Sequence, residues 1–278
     1  MSAGSAPDAS TEVVVEASLD NLRSDDVRFL EESAARGPLT VRIPSDALVA
    51  ARTGAAPIFS DAERLFLAES IRFVARAEIV DLPVAAVFDE LAVTGAAHAV
   101  REEDHDPELR AAAHAAGVPY LVVTAADRAG FPVLEPADPP AGTPRVVITG
   151  CYDWLHSGHI RFFMDAAAYG ALYAVVGSDR NVGLLKGPGH PLQHEGERRY
   201  MVGAVRSVHR CLVSSGEGWM DAGPEIAKIG PAFYVVNEDG DQPEKREFCR
   251  ARGIEYVVLK RLPHAGLPAR SSTELRGF

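Results

Sequence analysis

The sequence predicts an α/β protein of two tandem doubly wound parallel sheets, and three observations carry that reading. In the second half, short apolar runs rich in valine alternate with amphipathic helical stretches. Residues 134–144, LEPADPPAGTP, form the most proline-rich stretch and separate two halves. The first half, moreover, repeats the second in the same order at a nearly constant offset. Strands alternating with helices imply right-handed crossovers and a parallel sheet covered on both faces.

Along the second half, RVVITG (145–150) reads as a buried strand and SGHIRFFMDAAAYG (157–170) as a helix ending at Gly170. ALYAVVGSD (171–179) is the next strand, followed by a loop carrying Lys186 and the helix HEGERRYMVGAVRSV (194–208). RCLVSS (210–215), AFYVVNED (232–239) and IEYVVLKR (254–261) read as strands, with DAGPEIAKIG (221–230) and QPEKREFCRARG (242–253) as the helices between them.

The first half is a copy of this unit. Residues 18–46, SLDNLRSDDVRFLEESAARGPLTVRIPSD, lie over 151–179 without a gap, so that Asp20 falls on Asp153, Arg28 on Arg161 and Gly37 on Gly170. After a one-residue deletion, 57–74 lie over 191–208 and place Arg64 on Arg198; further on, 106–123 lie over 242–259. Polar positions change where apolar ones persist: His156 becomes Arg23, Gly158 becomes Asp25, His159 becomes Asp26 and Lys186 becomes Thr53. The reading is therefore two Rossmann-like domains related by a pseudo-twofold axis, the first degenerate. The expected division is a disordered N-terminus over 1–10, a degenerate domain over 11–133, a linker over 134–144 and a functional domain over 145–278.

Composition limits the partners. The chain has 278 residues, 47% of them hydrophobic, and a formal net charge of −11. That field repels nucleic acid and anionic membrane surfaces, so an anionic substrate must be held by a locally basic site. Three cysteines, Cys151, Cys211 and Cys249, form no close pair and suggest neither a disulfide framework nor a metal knuckle. The opening MSAGSAPDASTE has no apolar core of a signal peptide, and no run approaches a membrane span, so a cytoplasmic protein is expected.

The chemistry concentrates in TGCYDWLHSGH, after the first strand of the second half. In an open parallel sheet the ligand crevice lies at the carboxyl ends of the strands, where a helix N-terminus suits phosphate. His156 and His159 are three apart and share a helix face, and Gly158 between them permits close approach. Paired imidazoles there can donate hydrogen bonds to phosphate oxygens as charge grows during transfer. A metal pair would want a spacing of four and a third ligand, and no such set is evident. No G-x-G-x-x-G follows a strand, which disfavours a nicotinamide dehydrogenase.

GCYDWLHSGHIRFF resembles the first signature of the H-x-G-H nucleotidyltransferase superfamily, in particular the cytidylyltransferases and the similar heptose-phosphate adenylyltransferases. LLKGPGHPLQHEGERRYMVGAVRSV resembles the lysine loop and E-R helix of that superfamily, and ARSSTELR its closing signature. The tandem arrangement is similar to that of phosphoethanolamine cytidylyltransferases, although the first copy here lacks H-x-G-H and the closing signature. The resemblance implies that His156 and His159 stabilise the α-phosphate transition state and that Lys186 neutralises phosphate. It also implies nucleotide or phosphate contacts from Gly150, Cys151, Tyr152, Gly158, Arg198, Ser271, Ser272 and Thr273. Asp153, Asn237 and Asp239, with Glu238 beside them, are implied as acceptor or base contacts.

Implied too is a reaction in which an acceptor phosphate attacks the α-phosphorus of CTP and pyrophosphate leaves. Mg2+ arrives with the nucleotide and needs few protein ligands. The acceptor is a small phosphorylated or phosphonate alcohol. An adenylyltransferase using ATP and a sugar-phosphate-like acceptor is the alternative, and a non-catalytic nucleotide-binding scaffold a third reading. The first domain is expected to act as an intramolecular pseudo-dimer partner, an arrangement compatible with a further homodimer.

Overall fold

Runs of β-branched residues bounded by turn formers become the central strands of two sheets, one in each of two units divided between Gly130 and Phe131. The computed structural model describes residues 11–271. In the first unit the elements are β1 (Val13–Glu16), α1 (Ser24–Ala34), β2 (Leu39–Pro44), α2 (Asp46–Thr53), α3 (Asp61–Ser70), β3 (Val74–Val80), α4 (Phe88–Thr94), β4 (Ala97–Arg101), α5 (Pro107–Ala116) and β5 (Tyr120–Val123). The second has β6 (Arg145–Gly150), α6 (Ser157–Ala167), β7 (Ala171–Val176), α7 (Asp179–Lys186), α8 (Glu195–Gly203), β8 (Arg210–Val213), α9 (Gly223–Ile229), β9 (Phe233–Asn237), α10 (Pro243–Arg252) and β10 (Glu255–Leu259).

The strand orders are β3-β2-β1-β4-β5 and β8-β7-β6-β9-β10, with parallel pairing throughout. The two sheets therefore share one topology, and the pairing of Val13 with Leu39 recurs as Val146 with Leu172. Helices on both faces bury the central strands completely: Val13, Val15, Val41 and Ile43 in one unit, and Val146, Val147, Ile148 and Val176 in the other, are 0% exposed.

Small irregularities repeat as well. Leu19 and Tyr152, at equivalent positions, both have φ of 52°, a left-handed conformation that costs a non-glycine residue energy. Gly37 and Gly170 are equivalent too. A Cβ on either would lie 1.9 Å from Thr11 O or 2.1 Å from Pro144 O, so the chain crosses itself where only glycine fits.

Three details differ from the sequence expectation. Helix α6 ends at Ala167, not Gly170, because the chain must turn to deliver that crossing glycine. Helix α8 stops at Gly203, not Val208, with Ala204 as its cap. Lys186 is the last residue of α7 instead of part of a loop; Ser178 caps that helix by accepting from Asn181 N at 3.2 Å.

The proline-rich stretch 134–144 has neither helix nor strand. It is held along the second unit, where the Arg210 guanidinium donates to Pro136 O at 3.4 Å and Leu134 reaches to Gly203. Residues 1–10, expected to be disordered, lie outside the described residues. Among the described residues no helix is long and apolar enough to cross a membrane.

Candidate active site

Strand β6 ends at Gly150, and the turn that follows is built around Tyr152. A Cβ at position 150 would stand 2.6 Å from the Tyr152 ring, so glycine is what allows that ring to fold under the turn. His156 caps α6: its backbone is extended, at φ −143° and ψ 171°, and its Nδ1 accepts from Gly158 N at 3.1 Å. That bond puts the ring proton of a neutral imidazole on Nε2. A Cβ on Gly158 would lie 3.0 Å from Cε1 of the same ring, so this glycine seats the histidine.

One turn on, the His159 ring stacks on His156 with centroids 4.0 Å apart, and Tyr152 meets it edge-on at 5.3 Å. Burial pushes both imidazoles down, His156 to about 2 with help from His159, Arg261 and Arg270. His159 falls to about 4, lowered by burial and by Arg261 and Lys186 while a backbone hydrogen bond at Trp154 acts the other way. The pair is neutral near pH 7. His156 Nε2 is buried without a partner among the described residues, and the His159 ring stacked on it lines the first and third of the cavities around the turn.

Three cavities surround this turn. The first, about 250 Å³, runs from His159 and Gly158 to Asn237, Asp239, Lys245, Arg261 and Ser271. A second, about 190 Å³, lies on the β7 side and is lined by Cys151, Asn181, Lys186, Trp219 and Asp221. The third, about 160 Å³, includes Asp153, Trp154, His159 and Lys186. Neighbouring cavities share walls. Thr149 and Lys245 line the first two, Gly150, Cys151 and Lys186 the second and third, and Tyr152 and His159 the first and third. They form a crevice outside the carboxyl end of β6, where the strand order reverses and open α/β sheets bind ligands.

The sequence profile described as cytidylyltransferase-like matches residues 147–278, the stretch that builds this crevice. The FAD synthase of Aciduliprofundum boonei (strain DSM 19572 / T469) is 34% identical over 119 residues, which cover 42% of this chain and 76% of that relative. The chain belongs to the cytidylyltransferase-like family. It is also similar to the bifunctional protein HldE of Gluconobacter oxydans (strain 621H), 41% identical over 42% of this chain and 25% of that relative. Among solved structures, the lipopolysaccharide core biosynthesis protein of Thermoplasma volcanium GSS1 is 21% identical with a TM-score of 0.38, covering 44% of this chain and 99% of that one.

Within this nucleotidyltransferase fold the expected site residues separate into two groups. Gly150, Cys151, Tyr152, Gly158, His159, Lys186, Asn237, Asp239 and Ser271 line the crevice. His156 lies behind His159 with its ring wholly buried. Ser272 and Thr273 lie outside the described residues.

Arg198 has a different task from the phosphate contact expected of it. Its guanidinium is 0% exposed and donates to Gln193 O, Cys151 O, Gly177 O and the Asp179 carboxylate at 2.7–2.9 Å. Four of its five donors are thereby committed to the turns that shape the crevice. Asp153 is likewise engaged, accepting from Leu192 N and Gln193 N at 2.8–2.9 Å.

The first unit repeats both devices. Arg64 donates to Phe59 O, Ser18 O, Pro44 O and Asp46, and Asp20 accepts from Ile58 N and Phe59 N. The substituted positions, by contrast, are consumed internally there: Asp25 pairs with Arg128, and Asp26 with Arg101.

Sequence reasoning did not find Lys245 or Arg261. Arg261 donates to Asp239 at 2.6 Å and to Arg270 O at 2.8 Å, tying the turn after β9 to the segment that ends at Ser271. Its position two residues beyond β10 was a usable signal, because side chains past the strand ends face the crevice. Lys245 gave a signal as well: it replaces Leu109 of the first copy at a core-facing helix position.

Proposed function

We propose that the chain transfers a cytidylyl group from CTP to a small phosphorylated or phosphonate alcohol, with release of pyrophosphate. The observation that supports nucleotidyl transfer most directly is the stacked, neutral histidine pair at the positive end of α6, with His159 on the cavity wall. A phosphate oxygen of the acceptor attacks the α-phosphorus in line, the bond to the β-phosphate breaks, and its electron pair leaves with pyrophosphate. Ionised acceptor phosphate needs no strong general base, so the site's work is positioning and charge neutralisation.

His159 supplies a neutral N–H donor where charge grows on the α-phosphate, and His156, stacked behind it, holds that ring in place and offers its Nε2–H as the second donor when substrate reaches it. Lys186 faces two of the cavities and neutralises acceptor or leaving phosphate, while Arg261 lies across the first. Asn237, Asp239 and Ser271 serve the nucleotide, together with Ser272 and Thr273. Among the described residues no group of three or more ligating side chains could hold a metal, and Asp239, the carboxylate in the first cavity, is paired with Arg261. Mg2+ carried on the nucleotide, as this transfer would use it, would need few protein ligands and would neutralise the triphosphate.

Adenylyl transfer is the second reading, favoured by a specific observation. Two of the relatives, from Aciduliprofundum boonei and Ferroglobus placidus (strain DSM 10642 / AEDII12DO), are named FAD synthase, a product that carries an adenylyl group. Pyrophosphate release with CTP, ATP, GTP or UTP against a panel of phosphorylated alcohols, sugars and phosphonates separates the two. Turnover with CTP and an alcohol phosphate is expected; turnover confined to ATP overturns the cytidylyl choice.

A further inference from the structure

Lys245 sits where a cation is hard to keep. It is 8% exposed, on the face of α10 that carries the fully buried Cys249 one turn later, and it occupies the first turn, where the helix dipole opposes positive charge. The first copy has Leu109 at this position. Its Nζ donates to Gly240 O at 3.1 Å, using one of three N–H donors, and lies 5.9 Å from the Tyr234 ring centre.

The carboxylates nearby are engaged elsewhere: Asp239 with Arg261, Asp241 with Arg246, and Asp221 with the Ser214 hydroxyl. Burial accordingly holds the Lys245 ammonium below the usual lysine range. Yet this side chain lines both the His159 cavity and the Lys186 cavity, in the wall they share with Thr149.

We infer that Lys245 is an additional phosphate-binding residue of the transfer site, reaching from that shared wall to the phosphate groups that meet between the two cavities. The inference rests on the transfer reaction proposed above. A buried ammonium with unused donors, facing two cavities and lacking an ion pair among the described residues, is a cost to the fold that a bound polyanion offsets. Leucine suffices in the copy whose histidines are gone.

The test compares Lys245→Met and Lys245→Arg with the unaltered full chain. Three readouts are needed: unfolding midpoint, kcat and KM for both substrates, and calorimetric binding of inorganic pyrophosphate. Lys245→Met is expected to hold or raise the midpoint, to lower kcat/KM about 100-fold and to weaken pyrophosphate binding about tenfold or more. Lys245→Arg should recover at least about tenfold of the kinetic loss, since it restores the charge.

Wild-type kinetics and pyrophosphate affinity in Lys245→Met overturn the inference. So does a lowered midpoint whose kinetic loss arginine does not relieve, the pattern of a tether for Gly240. If the unaltered chain releases no pyrophosphate from any nucleotide, the transfer reading fails and the binding arm alone decides: weakened affinity in Lys245→Met supports Lys245 as a phosphate ligand, and equal affinity rejects it.

Discussion

His156 and His159 are neutral because they are buried against each other and near Arg261, and two consequences can be measured. Their folded pKa values, about 2 and about 4, lie below the ordinary value of 6.5. Between those limits the unfolded chain binds more protons than the folded one, so their stability contribution is intact above pH 6.5 and is lost as pH falls through it. Each histidine can tilt stability by up to about 1.4 kcal/mol per pH unit in its window. Urea unfolding at pH 7.5 and pH 5 should show the loss, and His159→Asn should shrink it; an unchanged difference contradicts the burial argument. The acid limb of kcat/KM should likewise fall well below pH 6, toward 4, and a limb near 6.5 would show a solvated imidazole. Gly158→Ala should cut kcat about tenfold or more, since the new methyl group meets the His156 ring 3.0–3.1 Å away. The sequence showed the histidines and their glycine but not the ring stacking or the neutral state, which depend on how the turn folds over Tyr152 and on Arg261 and Arg270 arriving from elsewhere in the chain.

The turns after β1 and β6 are held by one device made of three elements. An arginine on the helix before the edge strand reaches back to the first turn, and an aspartate of that turn clamps the amides that precede the arginine's helix. Removing Arg198 leaves three carbonyls and the Asp179 carboxylate without their donor, so Arg198→Ala should cost about 3–5 kcal/mol, and Arg64→Ala a similar amount. Chemical denaturation measures both; a raised KM for nucleotide at unchanged stability would return Arg198 to the role of phosphate ligand. Strands and long helices were legible because their patterns are local and periodic. Helix α7 was not, since eight polar-rich residues followed by two glycines read as a loop until the Ser178 cap is noticed. The role of Arg198 was half legible: its persistence as Arg64 in the copy without histidines already pointed to structure, but its partners are main-chain carbonyls, which carry no sequence signal.

Two units with the same strand order and the same crossing glycine differ in what fills the equivalent turn. In one it is a stacked histidine pair with His159 on a crevice; in the other Asp25 and Asp26 are neutralised by Arg128 and Arg101. A nucleotide has no unpaired cation to meet at those two positions, so calorimetry with CTP and ATP should find one site per chain. Asp26→His should leave that number at one, because Thr53 stands where Lys186 does and Asp25 keeps the place of Gly158. Two sites in that variant would mean that the first unit lost less than its turn implies. The duplication was legible from three aligned segments that preserve order and glycine positions, although α4 and β4 fall in a stretch they do not cover; the internal neutralisation was not, since Arg101 and Arg128 lie far along the chain from the aspartates they meet. If the histidine turn of the second unit performs nucleotidyl transfer, pyrophosphate release must differ between the unaltered chain and His159→Ala. Release should fall at least about 100-fold in the variant under conditions where its unfolding midpoint shows it to be folded; equal release from both would place the chemistry elsewhere.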